Sequence, residues 1–446
     1  MHRIDWKFFK RKIYYLIAVL TSLFLGILSS PIQVKAKEPV VIVIDPGHGG
    51  ENLGGEYKEY TEKEMTMTVA RAMKAELEKY DQVIVYLTRD ADIDMSLEER
   101  AAFAKEKNAD FLFCLHFNLS VKHDLFGAEV WVPAGGEYYA KGYSFAQIQM
   151  NEFTEIGLYS RGIKTRLNDK GDNYYGILRH CSNEQIPSVL IEHCHLDHEK
   201  DQKFYMQGEE QLKEFGRLDA TAVAKYFRLK SEILGVDYSD YPVPETSLPQ
   251  EMVSPDKTEP ELCRIEVEEI NQQTGEATVY MEAIDSDSYI LYYSYSLDGG
   301  NTYTMPDAWP RTDRWDQSDP SYRFSVKLPF DEPISLKARA SNGFDVWTES
   351  NEITIDMIPD PERLKEERKE EEERLQRARE KALAQLEENY PEMDNDDADG
   401  NSIENRNNND SVKIILIILG IVLCMCFVSV FMSKLIFLLI KGNKKR

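Results

Sequence analysis

The sequence predicts an α/β domain, with a largely parallel or mixed sheet flanked by helices, followed by a small all-β sandwich, a charged helical stalk and a C-terminal transmembrane helix. Three observations predict it. Short apolar runs alternate with helical patterns from 39 to 230. Strands with in-out alternation and turn signals follow from 261 to 356. Near the end, an apolar stretch follows a run of charge and polar residues. A chain of 446 residues has length for two domains with cores, plus tails. Its formal net charge of -25 argues against nucleic acid as a partner, because a phosphate backbone is bound by Lys and Arg. Much of that acidity sits in one late segment.

Residues 1–36 read as a secretory signal: "MHRIDWKFFKRK" is basic, 13–28 is almost entirely apolar, and "VKAKEP" offers a cut after Ala36. The apolar stretch is long for a signal, which leaves an uncleaved anchor as the alternative. Over 39–230, "VVIVID" (40–45), "VIVYLTR" (83–89), "FLFCLHFN" (111–118), "GAEVWVP" (127–133) and "SVLIE" (188–192) read as strands. Several are apolar on both faces, which places helices on both sides of the sheet. Helices are expected at 62–79, 96–107, 142–159 and 208–228. The Pro-rich "YPVPETSLPQEMVSPDKTEP" marks a linker over 231–260. Within 261–356, "CRIEVEEI", "EATVYMEAI", "YRFSVKLP" and "ISLKARASN" alternate as half-buried strands do, and "YSLDGGNTYT" looks like a hairpin repeated in many bacterial immunoglobulin-like modules.

Residues 359–390 are strong helix formers with opposite charges at i,i+4 and no sustained a/d seam, so a solvated single helix is expected, a spacer of roughly 45 Å at about 1.5 Å per residue. The acidic 391–411 lacks apolar content and reads as disordered. Residues 412–440 read as a membrane span and the basic tail 441–446 as its cytoplasmic side. That topology implies a single-pass membrane protein whose catalytic region is extracellular, on the cell-wall side. Of six cysteines, Cys424 and Cys426 fall in the span; Cys114, Cys181, Cys194 and Cys263 lack the tight spacing of a structural zinc site and leave a disulfide open.

Three strands deliver a chemical group at their carboxyl ends, the edge where α/β sheets form sites. "VVIVID" runs into "PGHGG" with His48, "FLFCLHFN" turns polar at His116, and "SVLIE" ends on Glu192. Each histidine alone could be a turn residue or a buried, hydrogen-bonded core group. Two at matching strand ends favour a shared metal. A catalytic zinc of the His₂Glu type needs an acidic third ligand and keeps a fourth position open. Glu62 and Glu64 both open the helix after Thr61; Thr61 with Glu64 fits a capping box, so Glu62 is the freer carboxylate and the preferred ligand.

These stretches resemble a known family. "VIVIDPGHGG", "EK" at 62–63, "LTRDADIDMSLEERAAFAKEKNADFLFCLHFN", "SRGIK" at 160–164, "YGILR" at 175–179 and "IPSVLIE" at 186–192 follow the order seen in zinc-dependent N-acetylmuramoyl-L-alanine amidases of the type-3 family, over residues 39–230. The resemblance implies Zn²⁺ held by His48, Glu62 and His116, with Glu192 as the catalytic acid/base. It implies peptidoglycan as substrate, cut between N-acetylmuramic acid and L-alanine. Two departures stand out: "HCHLDH" after Glu192, where the family has small and apolar residues, and Cys114, where Ser is common. In an extended chain His193 and His195 face away from Glu192 and Cys194. His193, His195 and His198 therefore read as packing or surface residues, with substrate contact or an accessory metal as the alternative. Asn118 and Arg179 are candidate substrate contacts, and Asp45 reads as a turn or supporting residue. The expected protein is thus a membrane-anchored cell-wall hydrolase. A zinc peptidase of the stem peptide and a catalytically inactive wall-binding or adhesion protein are the alternatives. Its partners would be peptidoglycan and, through the C-terminal helix, the membrane; a regulatory protein stays open.

Overall fold

The continuous apolar runs of the first strands are accommodated by a sheet with two covered faces. The computed structural model describes residues 10–17, 19–21, 38–312 and 314–389. Two units divide the chain, Met1–Leu364 and Lys365–Arg446. In the first, strand β1 (Val40–Pro46) leads into a small hairpin of β2 (Glu56–Tyr57) and β3 (Tyr60–Thr61), then helix α1 (Glu62–Leu77). There follow β4 (Val83–Leu87), α2 (Leu97–Glu106), β5 (Phe111–Asn118), β6 (Ala128–Trp131), α3 (Gly136–Glu155), β7 (Ser160–Lys164), α4 (Gly176–Asn183), β8 (Ser188–His195), the short α5 (Glu199–Gln202) and α6 (Glu209–Phe227).

Six strands form one sheet in the order β4-β1-β5-β8-β6-β7. β4, β1, β5 and β8 run parallel; β6 is antiparallel to β8, and β7 is parallel to β6. The α/β architecture with a mixed sheet is therefore present. Successive residues point to opposite faces. Ile42, Ile44, Phe113 and Ile191 pack with α1, α3 and α6, while Val43, Leu112 and Leu190 pack with α2 and α4. The central strands β1, β5 and β8 end side by side, which brings three loop or strand ends to one edge.

Beyond the sheet, β9 (Lys230–Ser231) and β10 (Val236–Asp237) pair, and an extended strap leads to β11 (Leu262–Ile270). β11, β12 (Glu276–Ile284) and β15 (Ser321–Lys327) form one antiparallel sheet. β13 (Ile290–Ser296), β14 (Asp307–Ala308), β16 (Ile334–Asn342) and β17 (Trp347–Glu349) form a second, with β18 (Ile353–Ile355) paired to β16. Val279 and Met281 of one sheet and Leu336 and Ala338 of the other share a buried core around Trp309.

This β module covers the open edge of the first sheet. All five residues of β7 are buried although, among the described residues, no strand other than β6 pairs with it. The Tyr159 hydroxyl donates to the carbonyls of Leu291 and Trp309, Tyr289 donates to the Arg161 carbonyl at 2.7 Å, and Arg311 donates to the Ser160 carbonyl at 3.1 Å. An exposed strand edge invites pairing with other chains, and here side chains occupy it instead.

Local differences from the sequence reading have local causes. Helix α3, expected at 142–159, starts at Gly136 and stops at Glu155, because Gly157 takes a positive φ of 78° and residues 160–164, to which the sequence reading gave no element, form β7. Cys114, Cys181, Cys194 and Cys263 are all free thiols.

The membrane anchor is a correction. Among the described residues no helix is long and apolar enough to cross a membrane. The longest, α7 (Pro361–Asn389), carries charges throughout, with ion pairs such as Arg374 to Glu371 at 2.6 Å. α3 and α6 each bury one face and carry Lys and Glu on the other, as core-covering helices do. The span expected at 412–440, the segments 391–411 and 441–446, and most of the 1–36 signal lie outside the described residues. A C-terminal transmembrane helix, membrane anchoring of the hydrolase, the membrane as a partner and a single-pass placement with an extracellular catalytic region are therefore not supported.

Candidate active site

The loop after β1 is built to aim an imidazole. His48 sits at φ 62°, a left-handed conformation uncommon for a residue with a side chain. Arg100 of α2 holds that loop: its guanidinium donates to Asp45 at 2.7 Å and to the carbonyls of Pro46 and His48, each at 2.8 Å. Asp45 also accepts from Thr88 and from the Cys114 thiol. A buried carboxylate with a buried guanidinium is tolerated because each is fully hydrogen-bonded. Asp45 is thus a support for His48, and a sulfur at position 114 serves the same acceptor.

Glu62 opens α1. The helix's first N–H groups are satisfied by carbonyls of the preceding loop, Glu62 to Gly55 at 2.8 Å and Lys63 to Leu53 at 3.1 Å. Thr61 has no cap bond to the helix backbone, so the capping box does not form, although its hydroxyl still engages Glu64 at 2.7 Å. That leaves the Glu62 carboxylate, buried at 4% exposure, to turn towards the strand ends.

There it meets both histidines. Glu62 Oε2 lies 3.0 Å from His48 Nε2 and Oε1 lies 2.9 Å from His116 Nδ1. Backbone N–H groups of Gly55 and Phe117 donate to the same carboxylate at 2.7 and 2.9 Å. One donor atom from each of His48, Glu62 and His116 falls within 4.8 Å of the others, a group able to hold a metal ion. Two imidazoles and one carboxylate from three separate elements suit a catalytic ion that leaves one position open. Asn52 accepts from His48 Nδ1 at 2.9 Å, which orients the ring so that Nε2 faces the cluster. Burial alone would raise the Glu62 carboxyl, but hydrogen bonds from His116 and then His48 hold it well below the usual range. Burial works against a charged His48, yet Glu62 raises its pKa above the ordinary value.

Glu192 of β8 is the register partner of His116 in the parallel pair, so both side chains leave the same face of the sheet. It is 9% exposed, and its Oε2 has no hydrogen-bond partner. Across the antiparallel pair it faces Glu129 of β6. Burial, then the charges of Glu62 and Glu129, push the Glu192 carboxyl well above the usual carboxylate range. Glu129 is balanced separately: Lys164 and Arg161 lie 2.9 and 2.8 Å away, and against the cost of burial they keep it ionised. Two carboxylates on one face are thereby pushed apart in acidity.

The histidines after Glu192 separate. His193 lies on the other face, with one ring nitrogen 2.9 Å from the His116 carbonyl and the other 2.8 Å from Asp219 of α6. His195 does not follow the simple alternation. A bulge between the His116↔Glu192 and Asn118↔His195 pairs adds a residue, which returns His195 to the Glu192 side, 3.1 Å from the Gly127 carbonyl. His198 caps α5 and stacks on Phe126. None of the three joins the metal cluster. Asn118 donates to Glu129 at 2.9 Å, and Arg179 donates to the carbonyls of Asn173 and Tyr174. Asn52, Glu129, Arg161 and Lys164 were not singled out from the sequence. The signal was present for three of them: an acid inside the apolar "GAEVWV" and two cations inside the five-residue "SRGIK".

A family model described as N-acetylmuramoyl-L-alanine amidase matches residues 42–225. A Buchnera aphidicola (subsp. Acyrthosiphon pisum) protein named for the same activity is 30% identical over 193 residues, spanning 34% of this chain and 80% of that relative. The chain belongs to the type-3 N-acetylmuramoyl-L-alanine amidase family. Within that family, Escherichia coli N-acetylmuramoyl-L-alanine amidase AmiC is 37% identical over 103 residues, 23% of this chain and 24% of the relative. Haemophilus influenzae amidase AmiB, named as probable, is 38% identical over 96 residues, 21% of this chain and 22% of the relative. The chain thus covers about a quarter of the length of these two amidases; the family model's match, 42–225, is the α/β part that carries His48, Glu62, His116 and Glu192.

Proposed function

We propose that this amidase-family chain hydrolyses the amide joining N-acetylmuramic acid to L-alanine in peptidoglycan, with Zn²⁺ held by His48, Glu62 and His116. One observation carries the reading: three metal-binding side chains converge beside a buried glutamate that no hydrogen bond occupies at one oxygen. The names borne by the relatives supply the substrate. Bound there, zinc would polarise the amide carbonyl and lower the pKa of a water molecule. Glu192 takes a proton from the attacking water as the new C–O bond forms. It then gives that proton to the nitrogen as the C–N bond breaks. Its raised pKa suits a group that must hold the proton between those two events. Glu129, kept ionised by Lys164 and Arg161, stays out of the proton transfer and maintains the field that keeps Glu192 basic.

The test is to incubate the purified chain with peptidoglycan and identify the new amino termini. Free L-alanine termini on intact stems are expected, with zinc stoichiometric. Glu192→Gln should retain zinc and lower kcat by roughly 10²–10⁴-fold, the range for loss of a general acid/base. His116→Ala should lose zinc and activity together. Termini from inside the stem would replace this reading with a peptidase, and bound zinc with no cleavage of any wall would replace it with a binding protein.

A further inference from the structure

A groove of about 550 Å³ opens beside Glu192 and runs between the sheet and the β module. Its near end is Asn118 and Glu129, the latter the register partner of Glu192. Trp131 and Tyr175, with ring centroids 4.9 Å apart, line its middle. Its far wall does not belong to the α/β part: Phe344, Asp345 and Val346, in the turn between β16 and β17, form it together with Pro255, Asp256 and Lys257 of the strap. That wall is anchored. Asp345 accepts from Arg161 at 2.7 Å, and Asn342 donates to Asp256 at 2.9 Å, so turn and strap are tied to the sheet and to each other.

The charges along the groove are unequal in what they have left to offer. Arg161 and Lys164 are buried and spent on Glu129 and Asp345. Asp256 is occupied by Thr258, Ser288 and Asn342. Arg166 and Lys257 are exposed, and among the described residues neither has a carboxylate within ion-pair distance. Arg166 lies over the Tyr174 ring, 3.6 Å from its centroid, with Tyr175 also beside it, which orients the guanidinium at the groove. Two cations of this kind, beyond two aromatic rings, suit an extended chain that ends in carboxylate.

We propose that this groove seats the peptide stem of the substrate, its carboxylates held by Arg166 and Lys257, and that the β-module turn at 343–346 closes the far wall and selects which stems are accepted. The proposal rests on the amidase reading for the position of the scissile amide: with that amide at Glu192, the stem runs out over Asn118 and Trp131. The β module is then a part of the substrate site as well as a cover for the sheet edge.

The test is calorimetric titration of the full-length chain with the free stem peptide, a product that needs no turnover, and with the same peptide amidated at its carboxyl terminus. Arg166→Gln/Lys257→Gln should weaken binding of the free stem by about tenfold or more, as loss of charge-assisted contacts does. Amidation should weaken binding to the unsubstituted chain and make little difference to the double variant. Phe344→Ala should weaken binding of both peptides, while Arg264→Gln, an exposed cation on the outer face of the β module, should leave both affinities in place. Both groove cations are exposed, so melting temperatures should match. Affinity that ignores the double substitution, or amidation that weakens the double variant as much as the original, overturns the proposal. Cleavage of the wall with groove-independent stem affinity removes the groove and keeps the amidase. Groove-dependent stem binding with no cleavage does the reverse.

Discussion

The two histidines of "HCH" have different physical lives because a bulge in β8 adds one residue between the pairs His116↔Glu192 and Asn118↔His195. His193 is used as a support: held by Asp219, it contacts the carbonyl of His116 from the face opposite the metal cluster. His195 is buried at 1% exposure, and burial, then the charge of Arg161, pull its pKa down to about 3. The sign of the consequence is fixed. A histidine kept neutral in the folded state contributes stability that is fully present above its ordinary value of about 6.5 and lost as the pH falls towards 3. Asp201, raised to about 6 mainly by burial, works in the opposite sense over part of that window. His195→Gln, which keeps a donor for the Gly127 carbonyl, isolates the histidine. Its stability deficit against the original chain should shrink steadily as the pH is lowered from 6.5 to 4 in denaturant titrations, and a constant deficit would show that position 195 does not carry this linkage.

Helix starts show how the same sequence signal succeeds at one element and fails at another. Ser96 and Glu99 make a full capping box at α2, with Glu99 N–H to Ser96 Oγ at 3.2 Å and Ser96 N–H to Glu99 Oε2 at 2.8 Å. Thr61 and Glu64 have the same spacing, but Thr61 already belongs to β3 and loop carbonyls of Leu53 and Gly55 take the first N–H groups of α1. The reading that Glu62 was the freer acid therefore rested on a box that the loop displaces; the placement of Glu62 comes from the loop itself. Ser96→Ala should lower unfolding free energy by about 1 kcal/mol, since the cap it removes has no replacement nearby. Because α2 also carries Arg100, loosening its start should be visible as faster hydrogen exchange in the His48 loop.

At the scale of the whole first unit, the β module and the sheet are joined by buried polar contacts that neither would satisfy alone. Tyr292 of β13 exchanges hydrogen bonds with the backbone of Phe126 and accepts from Arg161 at 2.9 Å, inside an apolar patch with Leu291. Tyr292→Phe leaves the Arg161 N–H and the Phe126 groups short of a partner in a buried site, at an expected cost of about 1–3 kcal/mol. Equilibrium unfolding should show the loss as a lower midpoint. If the sheet and the β module separate in the variant, the transition should also split in two.

Much of the active face was legible because chemistry at strand ends leaves a local mark. An apolar run that stops on His48, His116 or Glu192 announces both the strand and its cargo, and the order of those runs carried the family resemblance. The edge strand β7 was not legible, because "SRGIK" is polar by alternation and becomes buried only when the β module lies over it. Glu129, Arg161 and Lys164 are a charge cluster only after three strands and a second module bring them within hydrogen-bonding distance. The sequence by itself determined the alternation of elements, the two cores and the residues that could bind a metal, since periodicity and strand-end polarity act within a few residues. Tertiary structure alone decided which carboxylate faces the histidines, which way His195 points and what walls the groove, because register, bulges and the docking of one module on another depend on contacts between residues far apart in the chain.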